Sequence, residues 1–308
     1  MEKDIFDIGV VGHFAIDYIS LPSAIKPSKI LGGAVAYVSL VTRILGGTVS
    51  VISKVGLDFP KNWFSKLQQK GIDLSCVTLA QGEQTTSYVL KYNEDLSCRA
   101  LKLKNQGSQV TLSDLPASFN AKAIHIAPIA AEIPCEVIER LKTFTHCLSI
   151  DPQGMTRRFD ENGNVTSSSK MDKKILSLIN IYKSSLDEIT ILTGKTDVKQ
   201  AIKVVHDLGP ETVIVTLGGK GSILSAEGAQ YAVPACKPKH VVDPTGAGDV
   251  FIGAFLTENT HKKDNLWCAC VGSAAASLIV EGIGTSFFGN KEEIYRRANS
   301  IYEKEIKH

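Results

Sequence analysis

Residues 241–256 read VVDPTGAGDVFIGAFL: two β-branched residues, a turn of small residues holding two glycines, then apolar residues at helical spacing. The stretch predicts a tight turn feeding a helix. Gly246, Ala247 and Gly248 would present backbone N–H groups at the helix start, where unpaired donors and the helix dipole favour an anion. Asp249, in the first turn, would lie beside that anion hole, placed to orient a hydroxyl and accept its proton during attack on a phosphoryl group. The same residues also fit a plainer reading, in which Asp243 and Asp249 only cap a helix after a turn.

On either side of the turn, apolar β-branched runs alternate with amphipathic segments. Residues 7–11, 48–53, 123–127, 147–150 and 212–217 read as buried strands, and residues 135–144, 197–208 and 264–280 as helices. Such alternation predicts an α/β fold with a mostly parallel central sheet and helices on both faces. Residues 85–103 break the rhythm, since strand, polar turn and strand follow without a helix; they predict a hairpin outside the main sheet. The polar stretch 160–170, DENGNVTSSSK, reads as a surface loop. In open α/β sheets ligands bind beyond the carboxyl ends of the strands. Asp17, Asp151, Ser185, Glu188, Gly218 and Gly219, together with the 243–249 turn, all follow predicted strands and would converge on one edge.

Composition limits the alternatives. The 308 residues carry 44% hydrophobic and 21% charged residues with a formal net charge of +2, which suits a globular chain with a sizeable core. No basic, aromatic-interleaved patch points to nucleic acid. No window reaches the apolar length of a membrane span, and MEKDIFDIGVVG lacks a signal-peptide layout, so a cytoplasmic protein is expected. Seven cysteines without a CxxC pair read as reduced, mostly core thiols. TGKT (193–196) ends like a phosphate-binding P-loop, but Ile189 stands where that motif needs glycine, and GVVG (9–12) lacks the full dinucleotide-binding fingerprint.

DPTGAGD closely resembles the signature of the ribokinase-like, PfkB-type carbohydrate kinases. GVVGHFAID (9–17), LGGAVAYVSL (31–40), SKVGLD (53–58), LQQKGID (67–73), SSLDEITILTG (184–194) and VTLGGKGS (215–222) resemble further segments of that family, in its order. The resemblance implies a single ribokinase-like domain over 1–308, with a small β lid built from about 14–31 and 85–104. It implies an ATP- and Mg²⁺-dependent kinase acting on a small sugar or cyclitol, with activation by a monovalent cation left open. Asp249 would be the catalytic base and the amides of Gly246, Ala247 and Gly248 the anion hole. Asp17, Gly32 and Gly33 would hold the acceptor. Glu188 matches the Glu of the family's N-x-x-E motif, which helps hold Mg²⁺; the Asn of that motif is Ser185 here. Thr216, Gly218, Gly219 and Gly221 would approach the nucleotide, with Ala275 and Gly284 on the adenine side.

Two departures bear on the acceptor. Tyr37 stands where the family's Gly-Gly segment usually has Asn, and Asp151, Gln153 and Arg157 follow a strand with D-x-Q-G-x-x-R spacing. Together they resemble the myo-inositol kinase-like branch, which makes myo-inositol the leading acceptor and a nucleoside or hexose the runner-up. A non-catalytic sugar or nucleotide sensor is the alternative of another class. The lid could close over its own site or pair with a second lid in a homodimer.

Overall fold

The computed structural model describes residues 5–20, 22, 25–93, 99–168 and 171–306. The chain opens with β1 (Phe6–Val11), β2 (Ala15–Ser20), β3 (Ser28–Gly32), α1 (Ala34–Ile44), β4 (Val49–Gly56), α2 (Lys61–Gln69) and β5 (Ile72–Ala80). It continues through β6 (Ser87–Tyr92), β7 (Arg99–Asn105), β8 (Ala121–Ile126), α3 (Cys135–Leu141), β9 (Cys147–Ile150), β10 (Arg157–Phe159), β11 (Val165–Ser167) and β12 (Ile181–Ser185). The last part comprises α4 (Leu186–Thr193), α5 (Val198–Asp207), β13 (Thr212–Thr216), β14 (Ser222–Ala226), β15 (Ala229–Val233), α6 (Ala247–Thr260), α7 (Asn265–Ile279) and α8 (Lys291–Ile306).

Nine strands form the central sheet in the order β15-β14-β13-β12-β9-β8-β1-β4-β5. From β13 to β5 every pair is parallel, and only the β13-β14-β15 edge is antiparallel. The interior strands are buried on both faces, which is why VVIV-like runs replace alternation there. One apolar core packs α1, α6 and α7 on one face, around Val38, Val41, Ile252, Phe255 and Val271; the other packs α3, α4 and α5, around Ile138, Ile189, Ile202 and Val205. All five predicted strands and three predicted helices are present, with ends shifted by a few residues.

The lid is a second sheet, β3-β2-β6-β7, in which β2 pairs parallel with β6 and antiparallel with β3. Its β6 and β7 form the predicted hairpin; the turn at 94–98, including Cys98, lies outside the described residues. Two expectations need correction. The stretch 160–170 is not a plain surface loop: Val165–Ser167 pairs with Arg157–Phe159, and Gly163 accepts the Leu103 N–H at 2.8 Å, so this hairpin covers the edge of β7. Of the six described cysteines only Cys268 and Cys270 are buried, Cys135 being exposed and Cys76, Cys147 and Cys236 half-buried. Among the described residues no helix is long and apolar enough to cross a membrane.

Candidate active site

The opening turn is built by Asp243. Its buried carboxylate accepts the Thr245 N–H (2.9 Å) and hydroxyl (2.6 Å) through Oδ1 and the Gly284 N–H (2.8 Å) through Oδ2. Asp243 therefore does what the plainer reading assigned to both aspartates, while Asp249 does something else. Gly246 has φ 78°, and a Cβ there would lie 2.3 Å from the Tyr37 ring. Its glycine is required by backbone conformation and by what lies beneath it. The Ala247 N–H turns back to the Pro244 carbonyl at 3.4 Å, and the first full helical bond runs from Val250 N–H to the Gly246 carbonyl at 2.8 Å. The amides between are those a helix start leaves open.

This turn separates two clefts. On one side lies a small cleft lined by Asp17, Gly33, Gln153, Arg157, Gly246 and Asp249 together with Tyr88, Leu90, Leu101 and Ile129. On the other lies a larger cleft bordered by Thr216, Gly218, Gly219, Gly221, Ala247 and Gly248. Its far wall is apolar, with Val241, Phe251, Ala276 and Val280. Asp249 thus opens to the smaller cleft and the Ala247–Gly248 backbone to the larger.

Asp249 is half-buried where it meets the cleft, and desolvation followed by the neighbouring Asp151 charge pushes its carboxyl up to about 6, against the opposing pull of Lys183 and Arg157. Gln153 Nε2 donates to Asp249 Oδ1 at 2.9 Å, and Arg157 Nη2 donates to Gln153 Oε1 at 2.8 Å. A guanidinium can only donate, so Arg157 fixes which way the Gln153 amide points and turns its NH₂ toward Asp249. Asp249 Oδ2 accepts no hydrogen bond from the described residues. Asp151, by contrast, is 1% exposed and salt-bridged to Lys183 Nζ at 2.5 Å; it borders neither cleft.

Asp17 lies in β2 and reaches the smaller cleft; a Cβ on Gly32 would overlap its carboxylate, so Gly32 acts by making room. Gly33 lines the cleft with φ 85°, at the start of α1. Tyr37 does not reach the acceptor side: it is 1% exposed, backs Gly246 and packs against Phe288 at 6.4 Å between ring centres. Ala275 is likewise turned into the core; Ser273, Ala276 and Ser277 of the same helix border the larger cleft instead. Gly284 braces the turn through Asp243 rather than facing either cleft. Thr216 borders the larger cleft with its hydroxyl donating to the Ser184 carbonyl at 3.3 Å.

Ser185 and Glu188 form a reciprocal capping box at the start of α4, Ser185 Oγ accepting the Glu188 N–H at 3.3 Å and Glu188 Oε2 accepting the Ser185 N–H at 2.8 Å. Among the described residues no group of three or more His, Cys, Asp or Glu side chains could hold a metal ion. A single carboxylate with one oxygen outside the capping box fits a cation that keeps its waters and binds mainly through nucleotide phosphates, and not one needing a protein cage.

Three contributors were not foreseen. Lys183 is a buried lysine within β12, IYKSS, and a lysine in a strand of the central sheet was the available signal. Glu132, 1% exposed, accepts N–H groups from His13 (3.1 Å), Ile129 (3.0 Å) and Ala130 (2.7 Å), and so shapes the loop after β8. The Ile129 carbonyl then receives the Tyr88 hydroxyl at 2.6 Å and Arg157 Nη1 at 3.3 Å. Tyr92 of the lid meets the Thr245 hydroxyl at 2.5 Å, tying β6 to the signature turn.

Residues 6–292 match the family described as pfkB family carbohydrate kinase. A cytidine kinase of Thermococcus kodakarensis is 30% identical over 284 residues, covering 90% of this chain and 97% of its own. A nucleoside kinase of Methanothermobacter thermautotrophicus is 29% identical, covering 91% of each. The solved structure of a pyrophosphate-dependent kinase in the ribokinase family, complexed with a pyrophosphate analog and myo-inositol, superimposes with a TM-score of 0.79 at 23% identity, over 94% of this chain and 99% of that one. A carboxylate at the head of a helix that divides two clefts, on this sheet and over this length of matching sequence, makes the chain a phosphotransferase of the pfkB family of carbohydrate kinases.

Proposed function

We propose that the protein transfers the γ-phosphoryl group of ATP to a primary hydroxyl of a nucleoside, with a cytidine-like acceptor first in line. The observation that carries this reading is the partition of the two clefts by the first turn of α6. Asp249 Oδ2 on the acceptor side takes the hydroxyl proton as the oxygen attacks phosphorus, and the open amides at 246–248 face the charge that develops on the transferring group. Arg157 and Gln153 hold the base in orientation. Glu188 would help hold Mg²⁺ with its nucleotide, and the ion would supply charge neutralisation there.

Asp17 suits a ribose, because one carboxylate can accept hydrogen bonds from two neighbouring hydroxyls. The apolar wall of Leu90, Leu101 and Ile129 suits a flat base attached to it. The relatives named as cytidine and nucleoside kinases support the same acceptor. The myo-inositol reading loses one of its two supports, since Tyr37 is turned away from the cleft. It keeps the other, the polar Gln153–Arg157 pair, and stands as the second reading. On the donor side, the apolar wall of Val241, Phe251, Ala276 and Val280 favours a nucleotide over pyrophosphate, which has no apolar group to place there. The lid is read as closing over its own subunit's site, which excludes water from the transfer.

The experiment is ADP release by the purified protein with ATP and Mg²⁺ against cytidine, adenosine, myo-inositol, ribose, fructose and 2-keto-3-deoxygluconate, with a parallel series supplying pyrophosphate as donor. Turnover highest with a nucleoside and ATP is expected. Turnover confined to myo-inositol would replace the acceptor, and turnover only with pyrophosphate would replace the donor.

A further inference from the structure

Lys183 occupies β12 with only 5% of its side chain exposed. Its ammonium donates to Asp151 Oδ2 at 2.5 Å, and a Cβ on Gly248 would lie 2.6 Å from its Nζ. A lysine therefore ends directly beneath the first turn of α6, at the backbone that separates the two clefts, while bordering neither cleft itself. This also explains the second glycine of the signature: any side chain at 248 would displace the ammonium.

The charged surroundings come from every element packed there. Asp249 is faced by Asp151 at the end of β9, by Lys183 of β12 and by Arg157 of β10, with the Gln153 amide bonded to it. Lys183 feels Asp151 first, then Glu188 of α4 and Asp249 of α6. His125 of β8, buried and close enough to feel Lys183, is driven down to about 3 and stays neutral. Two carboxylates thus lie near one buried ammonium at the place where a phosphate arrives. A buried ion pair is a poor source of stability, since well-packed apolar residues of the same volume often do as well or better. Its presence here is accounted for by what it does to Asp249.

We propose that Lys183, paired with Asp151 directly beneath the first turn of α6, is a positioning residue for the phosphoryl transfer that acts on Asp249 from below the backbone dividing the two clefts. The inference rests on the reading of Asp249 as the base. Lys183 lowers, and Asp151 raises, the proton affinity of Asp249. Removing the ammonium alone lets Asp249 hold its proton to higher pH; removing the Asp151 charge alone releases it at lower pH; removing both leaves the two effects to offset each other.

The test is the pH profile of kcat, measured with ATP and whichever acceptor of the panel turns over fastest, for the unmodified protein, Lys183→Met, Asp151→Asn and the double variant, each checked for folding by circular dichroism. The acid limb is expected to move up for Lys183→Met and down for Asp151→Asn, and to return near its starting place in the double variant. A shift of one pH unit makes the Lys183→Met deficit about tenfold larger on the acid side of the limb than on the plateau. If Lys183→Met fails to fold with Asp151 left uncompensated, the downward shift in Asp151→Asn and its reversal in the double variant carry the same test. Folded variants whose kcat is scaled down at every pH, with the limb unmoved, would overturn the proposal and leave Lys183 a structural residue. Asp249→Asn run alongside separates the two levels: its collapse with unmoved limbs removes only the role of Lys183, whereas near-normal turnover removes the base itself.

Discussion

Asp249, proposed as the base, shows how surroundings set a single carboxyl. Burial raises it to about 6, and the Arg157–Gln153 pair aims one of its oxygens. A base must be unprotonated, so kcat is expected to be level above about pH 6 and to fall about tenfold per unit below it, in steady-state assays across pH 5–8. Asp249→Asn should lower kcat by about 10²- to 10⁴-fold with little change in nucleotide affinity. The same change should stabilise the protein. The folded carboxyl lies at about 6, above its unfolded value, so ionising it in the fold carries a penalty that is absent below about pH 4, grows between 4 and 6, and is full above 6. Asp249→Asn should therefore raise stability at pH 7.5 by about 2 kcal/mol and leave it unchanged near pH 4, measured by denaturant unfolding. An equal gain at both pH values would mean that packing, not charge, is responsible.

At the scale of elements, the acceptor cleft depends on a loop with no regular structure. The segment after β8 is held by Glu132, whose carboxylate gathers three backbone N–H groups, and the Ile129 carbonyl it positions receives both Tyr88 and Arg157. Glu132→Ala would leave buried donors unsatisfied, a loss of about 3 kcal/mol. Arg157 would be freed as well, so the acceptor KM is expected to rise more than the ATP KM. A loss of stability with both KM values unchanged would confine Glu132 to the scaffold. The start of α4 makes the complementary point. Ser185 in place of the family's usual Asn keeps a side chain that caps a helix, and Glu188 completes the box. That departure from the motif is thus conservative for the helix.

For the whole molecule the outward face of the second sheet bears on association. Strand pairing puts Tyr18 beside Lys29 and Val89, Val89 beside Lys102, and Lys104 over the Tyr18 ring at 4.2 Å. Lys29, Lys91, Lys102 and Lys104 are exposed on that outward face. Two such faces brought together would repel, and screening by salt would weaken the repulsion. Lid-to-lid pairing is therefore expected to be absent at low ionic strength, with light scattering after size exclusion giving a monomer mass near 33.2 kDa. A dimer that persists at low salt and dissociates on substitution of these lysines by glutamate would show the face to be an interface after all.

The sequence by itself located five strands of the central sheet, helices α3, α5 and α7, the β6–β7 hairpin and the turn leading into α6, because periodicity and glycine placement are local properties that tertiary contacts here reinforce. It also placed Asp249, Asp17, Gln153 and Arg157 at the ends of elements that meet. Only the tertiary structure decided what each of them touches. Tyr37 and Ala275 fell on the inward faces of their helices, Asp243 proved to be the brace and Asp249 the group at the cleft, and Asp151 turned from the acceptor to Lys183. Those outcomes depend on contacts between residues 32 positions apart for Asp151 with Lys183 and 96 apart for Gln153 with Asp249. Local patterning carries no information on such pairs. The charge balance that sets a buried carboxyl exists only once the chain has folded around it.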